Sequence, residues 1–262
     1  MSLYDDLRAA IRDEVPVALA TVIEGVGTGS KLLVWAEDGR HQGTLGDPDL
    51  DRVVERDARG ELAAGTSGVR HYGEHGEARE RAVSVFVESY APPPQMLIFG
   101  AVDFTAALCR VAKVLGYRVT VCDAREVFAT PQRFPYADEV VVDWPHRLLE
   151  RVGAGLGPRD AVCVLTHDPK FDVPAVLAGL RTRAGYLGAM GSRRTTDDRN
   201  RRLRAEGVSD DDLGRVLAPI GLDIGARTPE ETAVSICGEI IALRSGRLAP
   251  SLRDTSGDIH RT

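Results

Sequence analysis

Five short segments of the sequence place acidic, basic or hydroxyl side chains close to strand-like runs, and three of the five also contain glycine. They are GAVDFT (residues 100–105), CDAR (122–125), LTHDPKFD (165–172), MGSRRTT (190–196) and GLDIGARTPEE (221–231). Glycine permits a close approach of the backbone, while carboxylate, imidazole and guanidinium groups can bind ligands or transfer protons. These segments are therefore the candidate binding loops of the protein.

The first segment has the order of a nucleotide-binding strand-turn-helix unit, but not its residues. Gly100 can make the tight turn, whereas Val102 stands where a second glycine would admit a pyrophosphate. Asp103 would repel that pyrophosphate and is more simply interpreted as the N-cap of the next helix. Asp123 ends the following strand, about where an acid would bind an adenosine ribose. The segment keeps the plan of a dinucleotide site without its phosphate contact, and NAD(P) binding is not expected.

The next two segments carry the side chains best suited to ligand contact. We interpret His167 and Asp168 as ligand contacts rather than metal ligands, because their spacing matches no closed metal site; a loop-stabilising histidine is the alternative. The following segment is predicted to bind an anion through glycine backbone, helix-start amides and forked guanidiniums. Its alternative is a serine N-cap beside solvated arginines. Its candidate residues are Gly188, Gly191, Ser192, Arg193 and Arg194.

The fifth segment is dense in glycine, which indicates backbone packed against a ligand or against another backbone. Its candidate site residues are Gly221, Asp223 and Gly225. Thr228 and Glu231 have the spacing of a capping box, with a proline at the first helical position. A helix is therefore predicted to begin directly after this loop.

The C-terminal part alternates short apolar strands with helices. This order predicts an α/β fold with a Rossmann-like, doubly wound parallel sheet, whose loops gather at the carboxyl edge. The predicted strands are QMLIFG, YRVTVCD, EVVVD, DAVCVLTHD, AGYLGAMG and RVLAPIG. The predicted helices span residues 104–116, 173–183, 195–207 and 229–246.

The run APPPQ divides the chain, since three prolines hold an extended backbone and cannot donate hydrogen bonds. The prediction is a smaller α+β domain in residues 1–90, with one or two helices covering a small sheet. A proline linker at residues 91–95, the Rossmann-like domain at 96–247 and a tail at 248–262 follow.

Composition excludes several classes of protein. The net charge of −6 does not suggest nucleic-acid binding. The sequence contains no run of about 18 apolar residues, so no membrane span is predicted. The N-terminus is acidic and unlike a signal peptide. The four cysteines form no CxxC pair, so they are interpreted as reduced core residues of a cytoplasmic protein.

The strings VLTHD, YLGAMGSRR and APIGLDIGARTPEETAVSICGEIIALRSGR closely resemble the XdhC/CoxI family, which are accessory factors for molybdenum hydroxylases such as xanthine dehydrogenase. The resemblance is strong over about residues 95–247 and weak over 17–90. It implies binding of the molybdenum cofactor, a pterin carrying a phosphate, with the glycine-arginine and GLDIGA loops lining the pocket. It also implies help in sulfuration of that cofactor and in its delivery to the apoenzyme of the hydroxylase. A cysteine desulfurase is a further candidate partner, and a homodimer is expected.

The chain also departs from that family. GAVDFT replaces GAGHVA at the first turn, and LGDPDLD stands where the family has a cysteine in SGGC. A sulfur or cofactor step that needs those cysteines would not run here in the same way. The favoured function is an accessory protein rather than an enzyme. The alternatives are an NAD(P)-dependent oxidoreductase and a regulatory partner that has lost its ligand.

Overall fold

The computed structural model describes residues 2–37, 39–166 and 168–256. The chain forms two compact units and passes from one to the other between Pro92 and Pro93. Each unit has its own five-stranded sheet. Gln95, which the sequence prediction placed both at the end of the linker and at the start of the strand QMLIFG, is the first residue of a strand.

The first unit is an antiparallel sheet with two helices. The strands are β1 (Val17–Glu24), β2 (Lys31–Trp35), β3 (His41–Thr44), β4 (Gly68–Tyr72) and β5 (Val83–Tyr90). They lie in the order β3-β2-β1-β5-β4, and all neighbouring pairs are antiparallel. The helices are α1 (Leu3–Arg12) and α2 (Pro48–Ala64).

The central strand β1 explains why this sheet needs both helices. Ala18 and Ala20 belong to the core that includes α2, whereas Val17 and Leu19 belong to the core that includes α1. Because alternate side chains of a strand point to opposite faces, an apolar strand requires a cover on each side. The predicted small sheet with covering helices is therefore confirmed. The edge strand β4 was not predicted, since only its last residue is buried.

The second unit is a parallel sheet with helices between its strands. The strands are β6 (Gln95–Phe99), β7 (Arg118–Cys122), β8 (Glu139–Val141), β9 (Ala161–Val164) and β10 (Tyr186–Ala189). The helices are α3 (Asp103–Val114), α4 (Pro145–Val152), α5 (Pro169–Leu180), α6 (Arg193–Ala205), α7 (Asp210–Gly214) and α8 (Pro229–Arg244). Short 3-10 turns span Gly153–Gly155 and Leu252–Asp254.

The strand order is β10-β9-β6-β7-β8, so the chain leaves β6 toward one side of the sheet and later returns to β9 on the other. Met96 and Ile98 of β6 pack into the core that includes α3 and α8, while Leu97 and Phe99 pack into the core on the opposite face. The predicted doubly wound, Rossmann-like sheet is confirmed. Its crevice lies between the ends of β6 and β9, where the direction of winding reverses.

One predicted strand is wrong. In RVLAPIG, only Leu217 pairs with the sheet, through an isolated parallel bridge to Gly188. Pro219 cannot donate the next ladder hydrogen bond, and Ile220 donates to the carbonyl of Ala189 instead. The segment still runs alongside β10 and carries the chain to the carboxyl edge. The short helices α4 and α7 were not predicted.

Candidate functional site

The predicted binding loops all belong to the second unit and follow its strands at the carboxyl edge. The first turn is held closed from within. Gly100 has φ +114°, and a Cβ built on it would lie 2.9 Å from the backbone nitrogen of Thr166. The amide of Ala101 donates to the Asp123 carboxylate at 2.8 Å. Gly100 therefore serves the close approach of the loops after β6 and β9, and the amide that could bind a phosphate already has a partner.

The N-cap interpretation of Asp103 is wrong. Val102 occupies the N-cap position, and its side chain makes no capping hydrogen bond. Asp103 is the first residue of α3, with its side chain 90% exposed and 3.7 Å from Arg133. Arg133 also donates to the carbonyl of Ala101. The start of α3 thus presents a carboxylate to solvent, which opposes an anion there.

Asp123 is buried, and it is committed to internal bonds. Besides the Ala101 amide, its oxygens accept hydrogen bonds from the backbone nitrogen, Nε and Nη2 of Arg125, at 2.9, 2.9 and 2.7 Å. Burial raises the pKa of the Asp123 carboxyl, but the bonds from Arg125 and Ala101 outweigh burial and lower that pKa. Arg125 therefore occupies the carboxylate that a ribose would need.

Little room remains at the crevice itself. The cavity bordered by Gly100, Asp123, Thr166 and Phe171 has a volume of about 10 Å³, enough for roughly one water molecule. The guanidinium of Arg125 lies 4.6 Å from the ring centroid of Phe128. A ligand at this edge must lie over these side chains rather than between the strands.

The loop after β9 carries a helix cap. Asp168 is the N-cap of α5 and accepts a hydrogen bond from the amide of Lys170 at 3.1 Å. His167 lies outside the described residues. Asp172, one turn into α5, is buried and pairs with Arg199 of α6 at 3.0 Å. The Asp172 carboxylate is therefore used to hold α5 and α6 together. The ligand role of Asp168 stays a prediction.

The loop after β10 combines a cap with exposed cations. Ser192 is the N-cap of α6, and its hydroxyl accepts from the amide of Thr195 at 3.2 Å. Arg193 and Arg194 are exposed at the first two helical positions. The structure thus contains the serine cap beside exposed arginines, whereas anion binding at this helix start stays a prediction. The two are compatible, because a cap satisfies one amide and leaves others available.

Glycines also pack the GLDIGA loop against its surroundings. A Cβ on Gly188 would lie 2.6 Å from the side chain of Ile220, and a Cβ on Gly221 would lie 2.5 Å from Ser235 Oγ. The prediction of close backbone packing is correct at Gly221. Asp223 and Gly225 lie on the exposed part of the loop.

Two anchors hold the ends of this loop. Glu239 Oε2 accepts from the hydroxyl of Tyr186 at 2.6 Å and from the amide of Gly221 at 2.9 Å. Burial raises the pKa of the Tyr186 phenol well above its usual value. At the far end, Thr228 and Glu231 form the predicted capping box of α8.

Sequence reasoning missed the buried partners of these loops. Arg199 lies in the charged run DDRNRRLR and resembles its solvated neighbours. Its only signal is spacing, because it shares one helix face with Thr196 and Leu203. Glu239 gives a weaker signal still, as a lone carboxylate within an apolar helix.

Comparison with known families decides the relationship. The model described as the XdhC Rossmann domain matches residues 96–240, more than half of the chain, and the model of the XdhC and CoxI family matches residues 10–73. The chain belongs to the XdhC/CoxI family. The second unit is therefore the XdhC Rossmann domain, and the predicted binding loops lie in it.

Individual relatives agree with this assignment. The chain is 26% identical over 261 residues to the uncharacterized protein YqeB of Escherichia coli, covering 94% of this chain and 47% of YqeB. It is 30% identical over 165 residues to a probable xanthine dehydrogenase subunit of Bacillus subtilis, covering 63% of this chain and 47% of that protein. It is 33% identical over 84 residues to PaoD of Escherichia coli, a molybdenum cofactor insertion chaperone, covering 32% and 26%. The chain thus spans about half the length of the first two relatives.

A solved structure has the same fold. The crystal structure of a xanthine dehydrogenase from Bacillus halodurans matches with a TM-score of 0.56 and 23% identity, covering 96% of this chain and 98% of that chain. At this identity the similarity supports the fold alone.

Three further findings concern membrane spans, metal ligands and the cysteines. Within residues 2–37, 39–166 and 168–256, no helix is long and apolar enough to cross a membrane. The same part of the chain holds no cluster of histidine, cysteine or acidic side chains able to bind a metal ion. The four cysteines are free and buried, and burial raises the pKa of Cys109, Cys122 and Cys237 to about 12.

Proposed function

We propose that this chain is an accessory protein for a molybdenum hydroxylase, which binds the molybdenum cofactor and assists its maturation or delivery. Family membership and the similarity to PaoD and to a probable xanthine dehydrogenase component support this role. The ligand would be a pterin that carries a phosphate.

The charge and geometry at the start of α6 support an anion site there. The Gly191 turn leads into a helix of 13 residues, whose macrodipole places partial positive charge at its beginning. Arg193 and Arg194 are exposed there and can form forked hydrogen bonds to a phosphate. The start of α3 offers the opposite, since Asp103 is exposed and the Ala101 amide is occupied.

The GLDIGA loop would supply polar backbone groups for the pterin ring. Leu217, just before this loop, forms a parallel bridge with Gly188 of β10, which is followed by the start of α6. The loop and the start of α6 therefore leave the sheet from neighbouring segments that run in the same direction. Residues 223–228 are exposed, although the amides of Ile224, Arg227 and Thr228 bond within the chain, so the ring would contact the other backbone groups of this loop.

The test is to isolate the full chain from cells that make the cofactor and to measure bound pterin by fluorescence after oxidation. We expect stoichiometric pterin in the parent protein. Arg193→Ala and Arg194→Ala should each weaken cofactor binding by about tenfold to a hundredfold, because charge-assisted hydrogen bonds contribute about 1.5–3 kcal/mol each. Arg202→Ala, an exposed arginine later on the same helix, is the matched control and should behave like the parent.

The outcomes separate the alternatives. Absence of pterin from the parent protein would contradict cofactor binding and favour a regulatory partner without a ligand. Pterin bound equally by all variants would place the phosphate away from α6. Nicotinamide in place of pterin would favour the oxidoreductase alternative.

The proposed partners follow from the same function. The hydroxylase apoenzyme would receive the cofactor, and a cysteine desulfurase would supply sulfur to it. Four free cysteines suit the reducing cytoplasm, where we place this function. We also propose a homodimer, and light scattering that shows only monomer at micromolar concentration would contradict it.

A further inference from the structure

A buried ion pair lies beneath the turn that begins α6. Arg199 Nε and Asp172 Oδ2 are 3.0 Å apart, and their side chains are 1% and 3% exposed. Arg199 Nη2 also donates to the carbonyl of Met190, the residue directly after β10. The pair therefore ties α5, α6 and the Met190–Ser192 turn together.

Three polar atoms of this cluster lack a hydrogen-bond partner within the described part of the chain. They are Asp172 Oδ1, Thr196 Oγ1 and Arg199 Nη1, and each is buried. Thr196 and Arg199 are three positions apart on α6 and so share one helix face. Buried polar atoms are normally paired, because leaving them unpaired is costly. Two of these atoms thus belong to the ion pair itself, and the third lies on the same face of α6 as Arg199.

The cluster lies directly under the Gly191 turn. Gly191 has φ +151°, and a Cβ built there would lie 3.3 Å from Arg199 Nη2 and 3.1 Å from the side chain of Thr195. Arg199 Nη1 is bonded to the same carbon as Nη2, so it lies beside the same turn. Because residue 191 is a glycine, only its main chain lies between the Arg199 guanidinium and the proposed phosphate position.

We propose that Thr196 and Arg199 are direct ligand contacts, whose Oγ1 and Nη1 donate to a phosphoryl group bound at the start of α6. Both atoms are buried and Arg199 Nη2 is bonded to the carbonyl of Met190, so the ligand reaches them when the Met190–Ser192 turn moves and that carbonyl releases Arg199. Asp172 neutralises the buried guanidinium of Arg199, and Asp172 Oδ1 accepts a hydrogen bond from a donor such as a phosphate O–H. This inference rests on the proposed function, and it assigns contacts that the exposed arginines do not provide.

Thr196→Val separates a ligand contact from a structural role. Valine has nearly the shape of threonine and removes only a hydroxyl that makes no hydrogen bond to the described residues. If the Thr196 hydroxyl has only a structural role, Thr196→Val should melt at the same temperature as the parent or higher and should bind phosphate like the parent. A ligand contact predicts weaker phosphate binding in a protein that is as stable as the parent.

The experiment titrates the ¹⁵N-labelled full chain with inorganic phosphate and follows the amide of Gly191 and the Nε–H of Arg199 by NMR. We expect saturable shifts in the parent and an affinity about fivefold to tenfold lower in Thr196→Val. Arg199→Lys keeps the charge but loses the fork and should lose binding further. Thr232→Val is the matched control, because Thr232 is the fourth residue of α8 as Thr196 is of α6.

Parental phosphate affinity in Thr196→Val would overturn the inference, whether or not Arg199→Lys folds. If Arg193→Ala and Arg194→Ala lose affinity while Thr196→Val does not, the anion site stands and the buried contacts fall. If the parent binds no phosphate, the inference falls as well. The proposed function is then still judged by pterin co-purification, which does not depend on this titration.

Discussion

Replacing Glu239 by alanine should loosen the GLDIGA loop and destabilise the second unit. A single oxygen, Glu239 Oε2, accepts from the hydroxyl of Tyr186 and from the amide of Gly221. Tyr186 is only 3% exposed, so its hydroxyl has little access to water once its acceptor is gone. Hydrogen bonds to a charged group contribute about 1.5–3 kcal/mol each. Because Gly221 is half-buried and its amide can be partly hydrated, we expect a loss of about 2–4 kcal/mol in the free energy of unfolding.

Urea unfolding followed by circular dichroism measures this loss, and two variants divide it. Glu239→Gln keeps an acceptor oxygen without the charge and should lose less than Glu239→Ala. Tyr186→Phe removes one of the two bonds and leaves the Gly221 anchor, so hydrogen exchange at Gly221 should rise in Glu239→Ala but not in Tyr186→Phe. A loss below about 1 kcal/mol in Glu239→Ala would refute the reasoning, since the buried phenol would then have found another partner.

Three further outcomes follow from the structure. Calorimetric titration with NADH or NADPH should show no saturable binding, because the Asp123 carboxylate and the Ala101 amide are already bonded to each other; tight stoichiometric binding would contradict this. The hydrogen bond that His75 Nδ1 donates to Asp47 Oδ2 raises the pKa of the His75 imidazole, so NMR titration should show that raised pKa and its return to the ordinary value in Asp47→Asn. Because the pKa is raised in the folded state, this contact stabilises the fold at pH values below the ordinary histidine pKa, and the stabilisation is lost as pH rises through the raised pKa. An unchanged His75 titration in Asp47→Asn would contradict this role of Asp47. None of the four thiols should react with a disulfide reagent before unfolding, because burial raises their pKa, and rapid reaction of one would show an opening of the core.

The fold was predictable from the sequence because its strands are short apolar runs separated by helical spacing. Strand β6 and helix α8 were placed within a few residues of their observed bounds. The errors occur where local pattern and tertiary packing disagree. Leu217 lies in an apolar run that reads as a strand, but Pro219 limits its pairing to a single bridge. Edge strand β4 has one buried residue, so its periodicity carries almost no signal.

The candidate site was predictable only as a set of loops. Parallel topology brings the loops to one edge, and that part of the reasoning requires nothing beyond strand order. The roles of individual side chains depend on partners distant in sequence, such as Asp172 for Arg199 and Arg125 with Ala101 for Asp123. A pattern of residue types cannot show which carboxylate is already paired. For this reason Asp123 looked available to a ribose, and the burial of Arg199 was not predicted.

These pairings favour a binding position away from the crevice of the sheet. In the usual dinucleotide plan, the first turn offers amides to a pyrophosphate and the acid after the next strand holds a ribose. Here the same two groups bond to each other, and Arg125 saturates the acid. The polar groups at the crevice bond to each other, whereas three buried atoms under the start of α6, Asp172 Oδ1, Thr196 Oγ1 and Arg199 Nη1, have no partner among the described residues. Because unpaired buried groups favour whatever ligand can pair them, binding should shift from the crevice to the loop after β10. The arginines exposed at that loop have the charge that a phosphorylated pterin requires.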